Sequence, residues 1–511
     1  MGILRLNSDT DLAGSPRLLR RKQLSTTSIT DEQSADVTFS VLPSVGEPPT
    51  RRISVTLSVD EYARVKSIAE RNQRSLGWVL RYALGGLFER EERRQLELPF
   101  HGAYTSSPEL VDGPLPDTIN ALATLDWTKL RRRATGTIHS LHAYPTRFGP
   151  EFPARLIESL SKPGHTVLDP FCGSGTVVAE AARRQRLGIG VDVSPLAVLI
   201  SRTKCALILD EDLAVIEGSA RLADSLLRGL GASEDRATTF DRVRECCEAA
   251  GICVPRFLLE PNAISQIAQW FSPIASSELA LIRTAIEHCA VPRVKDLLLV
   301  ALSSIIVRVS FQRSDTRFVR LVRDVAPGEA LKCWTRKVSE IFELLRRTQH
   351  SGFSPRSARA EVHCADARDL NFLAPETVDL VVTSPPYPNS YDYQSFQRLR
   401  LLWLGLWSPR NIANLGGRRG AGKDYDRDIL AVLTSIKRVL KSTGLCALVI
   451  GATRARGQHQ DNAAIICCVA PSAGFRTIDR LEGPRASTMG TLHMNGREPV
   501  KGESLLLLAP R

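Results

Sequence analysis

The sequence lacks CxxC spacing, internal repeats and any apolar run long enough to cross a bilayer. Its 11 cysteines are scattered, and Cys246–Cys247 and Cys467–Cys468 are merely adjacent. That distribution argues against a zinc ribbon or a secreted disulfide scaffold and for a reducing compartment. The longest apolar run, Leu297 to Val307, is short and lies between Asp296 and Arg308. No secretory signal is read at the start, so a cytoplasmic protein with no membrane partner and no bound metal is expected.

What is present is size and positive charge. A chain of 511 residues suggests two to four units, and 43% hydrophobic residues suffice for real cores. The net charge of +12 suits a polyanionic partner, because lysine and arginine release counterions from nucleic acid.

Composition and periodicity divide the chain. Residues 1–50, rich in Ser, Thr, Asp and Pro, read as a disordered leader. A patterned module follows at 51–91, and a linker with Pro99, Pro108, Pro114 and Pro116 at 92–135. Residues 136–205 alternate helix and strand, 206–357 read as a helical insertion, and 358–511 return to strands. The predicted strands are Thr166–Leu168, Gly188–Val193, Glu361–Cys364, Val378–Thr383, Leu445–Ile450, Phe475–Leu481 and Ser504–Leu508. Helices between most of them imply a largely parallel α/β sheet.

The segment Val167-Leu168-Asp169-Pro170-Phe171-Cys172-Gly173-Ser174-Gly175-Thr176 ends a strand and opens a helix. Glycines at such a turn let the backbone approach a ligand at the carboxyl end of the strands. The next strand ends on Asp192, where a carboxylate can accept both hydroxyls of a ribose. A phosphate-binding loop would carry more glycines and a lysine, so a nucleoside without phosphates fits better. Further on, the apolar strand 378–383 delivers Ser384-Pro385-Pro386-Tyr387 at its carboxyl end. A hydroxyl and a carbonyl fixed by two prolines can accept both protons of an amine, and a tyrosine face can stack an extruded base.

Asp169-Pro170-Phe171-Cys172-Gly173-Ser174-Gly175-Thr176 resembles motif I of the amino-methyltransferases that act on DNA. His142 to Phe152, with Tyr144 and Phe148, resembles their motif X, and Ser384 to Tyr387 their motif IV. The resemblance implies a seven-stranded Rossmann-like methyltransferase sheet and S-adenosylmethionine as cofactor. It assigns Tyr144, Phe148, Asp169, Phe171, Gly173, Gly175, Thr176, Asp192 and Asp366 to the cofactor, with Asp366 at the adenine amino group. Ser384, Pro385, Pro386 and Tyr387 would be catalytic, and Asn389, Tyr391 and Tyr393 would continue that loop. Methylation at cytosine carbon 5 is excluded, since it needs a cysteine nucleophile, usually after proline, and no Pro-Cys pair exists. Cys172 reads as a packing residue. Gly417 to Asp424 imitates a phosphate-binding loop, but Asp424 stands where Ser or Thr is required, which leaves a basic loop. The insertion is a candidate target-recognition domain, although it falls before the Asp366 segment rather than just after it. Its Arg308, Arg313, Arg317, Arg320 and Arg323 read either as a solvated helix face or as phosphate contacts.

Within 51–91, Arg51 to Ser58 alternates polar with apolar, Ser58-Val59-Asp60-Glu61 is a capping box, and a second helical pattern follows Ser75. One strand and two helices of this length cannot bury their apolar surface alone, so dimerisation is expected. The pattern resembles the ribbon-helix-helix family, which implies a homodimer with Arg52, Ser54 and Thr56 facing the bases. The resulting expectation is a nucleoid-associated DNA methyltransferase, with cytosine N4 preferred over adenine N6 and with a restriction or defence partner. The competing readings are an RNA base methyltransferase and a ribbon-helix-helix regulator with an inactive methylase domain.

Overall fold

The computed structural model describes residues 34–39, 53–58, 66–67, 122, 136–144, 149–230, 239–315, 317–350, 360–387, 393–407, 425–455, 458–482 and 503–511. The chain divides into two units, Met1–Ser107 and Pro108–Arg511.

In the first unit, Ile53–Ser58 is a strand, as its alternation predicts, and it pairs antiparallel with Ser34–Phe39. This departs from a leader without structure across 1–50. The register sets Ala35, Val37 and Phe39 opposite Leu57, Val55 and Ile53, so both strands bring their apolar positions to one face. Of the two expected helices, Lys66 and Ser67 are helical and the rest lies outside the described residues, as does Arg52.

The second unit is built on a 7-stranded sheet. In chain order its strands are β1 (Thr166–Asp169), β2 (Leu187–Asp192), β3 (Ala360–Cys364), β4 (Val378–Thr383), β5 (Leu440–Gly451), β6 (Phe475–Glu482) and β7 (Glu503–Pro510). They lie in the order β6-β7-β5-β4-β1-β2-β3, parallel except that β7 runs antiparallel to both neighbours. All seven predicted strands are present, and the sheet is the Rossmann-like one expected of a methyltransferase. Leu505 and Leu507 of β7 join the core on one face of the sheet, with α1 (Glu151–Leu160) and α2 (Thr176–Arg183). Leu506 and Leu508 join the core on the other, with α11 (Tyr425–Val439) and α12 (Asn462–Val469). A strand buried on both faces needs an unbroken apolar run, which is what Leu505 to Leu508 supplies.

Helices α4 (Asp212–Leu230), α5 (Thr239–Ala249), α6 (Pro261–Trp270), α7 (Pro273–Glu287), α8 (Pro292–Val309) and α9 (Glu329–His350) make a helical layer with its own core. That core also takes in α3 (Pro195–Lys204) and α10 (Tyr393–Leu404), which belong to the sheet unit. The apolar run Leu297–Val307 is the centre of α8, buried within this layer. No helix among the described residues is long and apolar enough to cross a membrane.

The insertion is not wholly helical. Gln312–Ser314 and Arg317–Arg320 pair as a short antiparallel hairpin. Phe311 donates its backbone N–H to the carbonyl of Trp270, and Phe318 stacks on Trp270 with centroids 4.4 Å apart. The arginine cluster is therefore spread over a helix end, a hairpin and the chain beyond it, and not along one helix face.

Candidate active site

Strand order reverses between β1 and β4, and the loops leaving the carboxyl ends of these two strands flank one crevice, where ligands bind in open α/β sheets. β1 ends on Asp169 and β4 on Thr383, and the Thr383 hydroxyl donates to Asp169 Oδ1 at 2.6 Å. The Phe171 backbone N–H donates to the same oxygen at 3.1 Å. The turn to α2 passes through Gly173 (φ +49°) and Gly175 (φ +73°), both left-handed. A Cβ on Gly175 would fall 2.0 Å from Ser201 Oγ and 2.9 Å from Ser201 Cα, so only glycine fits there. Among the described residues a Cβ on Gly173 would meet only the Tyr144 ring, at 3.6 Å, which leaves an open cradle between motif X and the turn.

Asp192, at the end of β2, accepts the Gly173 N–H at 2.9 Å on Oδ2 and the Ser194 N–H at 2.8 Å on Oδ1. Each oxygen keeps a lone pair for a further donor. Burial pushes Asp169 up to about 7, against the bonds from Thr383 and Phe171. Burial likewise pushes Asp192 up to about 6. Thr176 Oγ1, at the first turn of α2, is buried with no hydrogen-bond partner. Two reluctant carboxylates, an open cradle and an orphaned hydroxyl suit a polar ligand that carries positive charge and hydroxyl donors. Burial also pushes the Cys172 thiol up, next to Asp192 and Asp169, which keeps it neutral and fits the packing role expected of it.

Motif X and the turn that leads into it are fastened from both sides. His142 Nε2 lies 3.0 Å from Ser303 Oγ of α8, and His139 Nε2 lies 2.6 Å from Glu180 Oε1 of α2. Burial lowers His139 to about 4, so it is an uncharged partner of Glu180 at neutral pH. Tyr144 is buried, whereas Phe148 lies outside the described residues.

Asp366 follows β3. It accepts the Arg368 backbone N–H at 2.9 Å and is gripped by the Arg368 guanidinium, which also reaches Asp428 at 3.0 Å. Although burial works against it, Arg368 holds Asp366 below the usual carboxylate range, so it is ionised and remains an acceptor.

At the end of β4, Ser384 Oγ lies 3.0 Å from the Tyr387 hydroxyl, and that hydroxyl donates to the Val449 carbonyl at 3.3 Å. A carbonyl cannot donate, so whenever the phenolic proton is used at Val449, Ser384 is the donor of the 3.0 Å contact. Ser384 then donates toward Tyr387 and turns its lone pairs outward. Gly451 of β5 allows the ring to lie close, since a Cβ there would stand 3.0 Å from Tyr387 Cε2. Pro385 is buried and Pro386 half-buried, whereas Asn389, Tyr391 and the basic loop 417–424 lie outside the described residues, and Tyr393 opens α10.

Two partners escaped the sequence reading. Thr383 directly precedes Ser384, and Arg368 stands two residues after Asp366, spacings that sequence alone does not distinguish from chance. Thr383 acts across two strands far apart in the chain, and Arg368 joins Asp366 to Asp428 on α11.

The family model described as DNA methylase (N6_N4_Mtase) matches residues 59–202, which contain motif X, motif I and Asp192. That stretch of the chain is similar to the DNA methylase family. Among curated relatives, the Type II methyltransferase M.MvaI of Kocuria varians is 26% identical over 291 residues, 52% of this chain and 58% of that one. The Type II methyltransferase M.MjaII of Methanocaldococcus jannaschii is 29% identical over 85 residues, 16% of each chain. The chain thus spans little more than half the length of the first of these relatives. Among solved structures, TrmN from Thermus thermophilus superposes with a TM-score of 0.27 at 12% identity, over 71% of this chain and 49% of the other. The rRNA methyltransferase AviRa from Streptomyces viridochromogenes does so with 0.28 at 13%, over 75% and 93%. At that level the strand order carries the fold, and the superpositions do not.

Proposed function

We propose that this chain is a DNA methyltransferase that moves a methyl group from S-adenosylmethionine to an exocyclic base amine, cytosine N4 before adenine N6. The observation that carries the reading is the hydrogen-bonded chain from Ser384 through Tyr387 to the Val449 carbonyl. An exocyclic amine is a poor nucleophile because its lone pair is delocalised into the ring. Ser384 Oγ and the Pro385 carbonyl accept its two N–H bonds and favour a pyramidal, more nucleophilic nitrogen. The Tyr387 ring supplies the face against which the extruded base rests. Holding both partners in place supplies much of the rate.

The residues around motif I fit the cofactor. Asp192 has acceptor capacity left for two ribose hydroxyls, the Gly173 cradle beside Tyr144 admits the methionine end, and Asp366 is held as an acceptor for the adenine amino group. Phe171 and Thr176 border the same turn, and Phe148 continues motif X. When bound, S-adenosylmethionine supplies an electrophilic methyl carbon, and its sulfonium and ammonium charges offset the two buried carboxylates at 169 and 192.

In the N-terminal unit, Ile53–Ser58 uses one edge for Ser34–Phe39 and can offer the other to a second copy. We read this arm as a dimerising DNA contact through Arg52, Ser54 and Thr56, and the setting as a modification system of the Type II kind.

Incubating the purified chain with unmodified genomic DNA and labelled S-adenosylmethionine, then analysing nucleosides by mass spectrometry, tests the reading. Labelled N4-methylcytosine is expected. Labelled N6-methyladenine would keep the mechanism and change the base. Label in RNA alone would overturn the DNA assignment.

A further inference from the structure

We infer that the hairpin Gln312–Arg320, with the exposed stretch that follows it, is a duplex-DNA contact face set beside the catalytic loop. The inference rests on the DNA reading above and goes beyond it by naming the surface.

The first observation is exposure. Val319 is 55% exposed, Leu321 50% and Val322 62%, the densest group of exposed large apolar residues among those described. Three exposed large apolar residues within four positions suit a contact site better than bulk solvent. The second is charge. Arg313 and Arg317 are exposed and form no ion pair among the described residues. Asp315 between them is bound by the buried Arg400. From Arg313 to Asp324 the sequence holds no acid besides Asp315 and Asp324, against four arginines.

The arginines divide by task. Arg323 donates to the carbonyls of Val307, Arg308, Gln312 and Arg313, and so ties α8 to the hairpin. Arg320 donates to the Gln269 carbonyl at 2.9 Å and lies over the Phe311 ring. Arg308 pairs with Glu329 at 3.1 Å. Arg313 and Arg317 alone have their guanidinium groups uncommitted. A face held rigid by two arginines, with two more available and aliphatic residues between, matches a phosphate backbone with sugar edges or a groove floor. A neutral or basic protein partner would leave those charges unanswered.

The third observation is place. Gln312 Nε2 donates to the Phe396 carbonyl in the first turns of α10 at 3.4 Å, and Arg400 of the same helix binds Asp315. Residues 388–392 connect Tyr387 to α10. Six Cα steps bring the start of that helix within about 22 Å of Tyr387, less than one helical turn of a duplex. Arg398 of α10 binds Gln266 of α6 at 2.7 Å, so α6, α10 and the hairpin move as one surface.

The test uses the full chain and a 30-base-pair unmethylated duplex of mixed sequence, with affinity measured across a salt series. Arg313→Ala/Arg317→Ala is expected to bind roughly tenfold more weakly near 0.15 M salt and to lower the log–log salt slope by about 1.8. The lysine pair at the same positions should restore the slope. Val319→Ser/Leu321→Ser/Val322→Ser should weaken binding with the slope unchanged. S-adenosylhomocysteine affinity, read by calorimetry, should be that of the parent in every variant. If the parent binds the duplex and both variants match it in affinity and slope, the hairpin assignment fails while the DNA reading stands. If the parent binds RNA and no duplex, both fall. If the serine variant changes only the oligomeric state, the face is a protein contact and the inference is overturned.

Discussion

Thr383 donates its hydroxyl to Asp169 across a separation of 214 positions, and both side chains are buried. The bond joins the last residue of β4 to the last residue of β1, so the two loops that would hold cofactor and base share a fixed origin. Thr383→Val keeps the strand and removes this donor, leaving the carboxylate with the Phe171 N–H. Losing a hydrogen bond to a buried charge should cost about 1.5–3 kcal/mol. The cost should be larger at pH 8, where Asp169 is ionised, than at pH 5, where it is largely protonated. Urea unfolding at the two pH values measures both, and equal losses would show that the bond does not depend on the charge.

Asp169 and Asp192 both have native pKa values raised by burial, to about 7 and about 6. A raised carboxyl favours folding while protonated, so its contribution is complete below the unfolded value near 4. It is lost as pH rises through the folded value. Between about pH 4 and 7 the stability of ligand-free protein should therefore decline through these two groups. Comparing the parent with Asp192→Asn by chemical unfolding isolates one of them, and the difference should move in favour of Asn as pH rises. S-adenosylmethionine affinity of the parent should rise over the same interval, because the ionised Asp192 is the better acceptor for hydroxyls. A flat binding curve from pH 5 to 7.5 would remove Asp192 from the ribose site.

Two glycines, two residues apart in the chain, should fail to different degrees. Gly175→Ala forces a Cβ into Ser201 at a left-handed φ and should destabilise the chain by about 3 kcal/mol or more. Gly173→Ala carries the strain of its own left-handed φ, about 1–2 kcal/mol, but among the described residues meets only the Tyr144 ring at 3.6 Å, so it should fold with a smaller loss and bind cofactor weakly, its methyl group filling the cradle. Thermal unfolding and calorimetric titration, run in parallel, separate the two effects.

Tyr387→Phe keeps the ring for stacking and deletes both the acceptor for Ser384 and the donor to Val449. Ser384 would then be free to rotate its proton toward the incoming amine. A fall in kcat of about 100-fold with KM for DNA little changed is the expected pattern. A raised KM at unchanged kcat would restrict Tyr387 to binding.

The central sheet was legible because strands buried on both faces are written as short apolar runs bounded by turns, as in Val378 to Thr383 and Leu505 to Leu508. The crevice was legible through the residue types at strand ends. Register and distance were not. No local signal connects Thr383 with Asp169, whose meeting depends on how β1 and β4 align. The hairpin at Gln312–Arg320 is too short to show alternation, and its arginines resemble those of an exposed helix. Ser34–Phe39 did alternate, but the polar composition around it masked the pattern.

Ser303 of α8 touches His142 through its hydroxyl and accepts the Arg400 side chain on its carbonyl, so one residue of the helical layer braces motif X and the helix beyond the catalytic loop. The insertion is for that reason no cassette. Grafting the equivalent segment of a relative in place of 206–357 would remove a strut from each half of the crevice, and the chimera would lose alignment before it gained a new target. Exchange confined to the hairpin and the stretch to Asp324, with α8 and Ser303 retained, is the cut that respects how the molecule is braced.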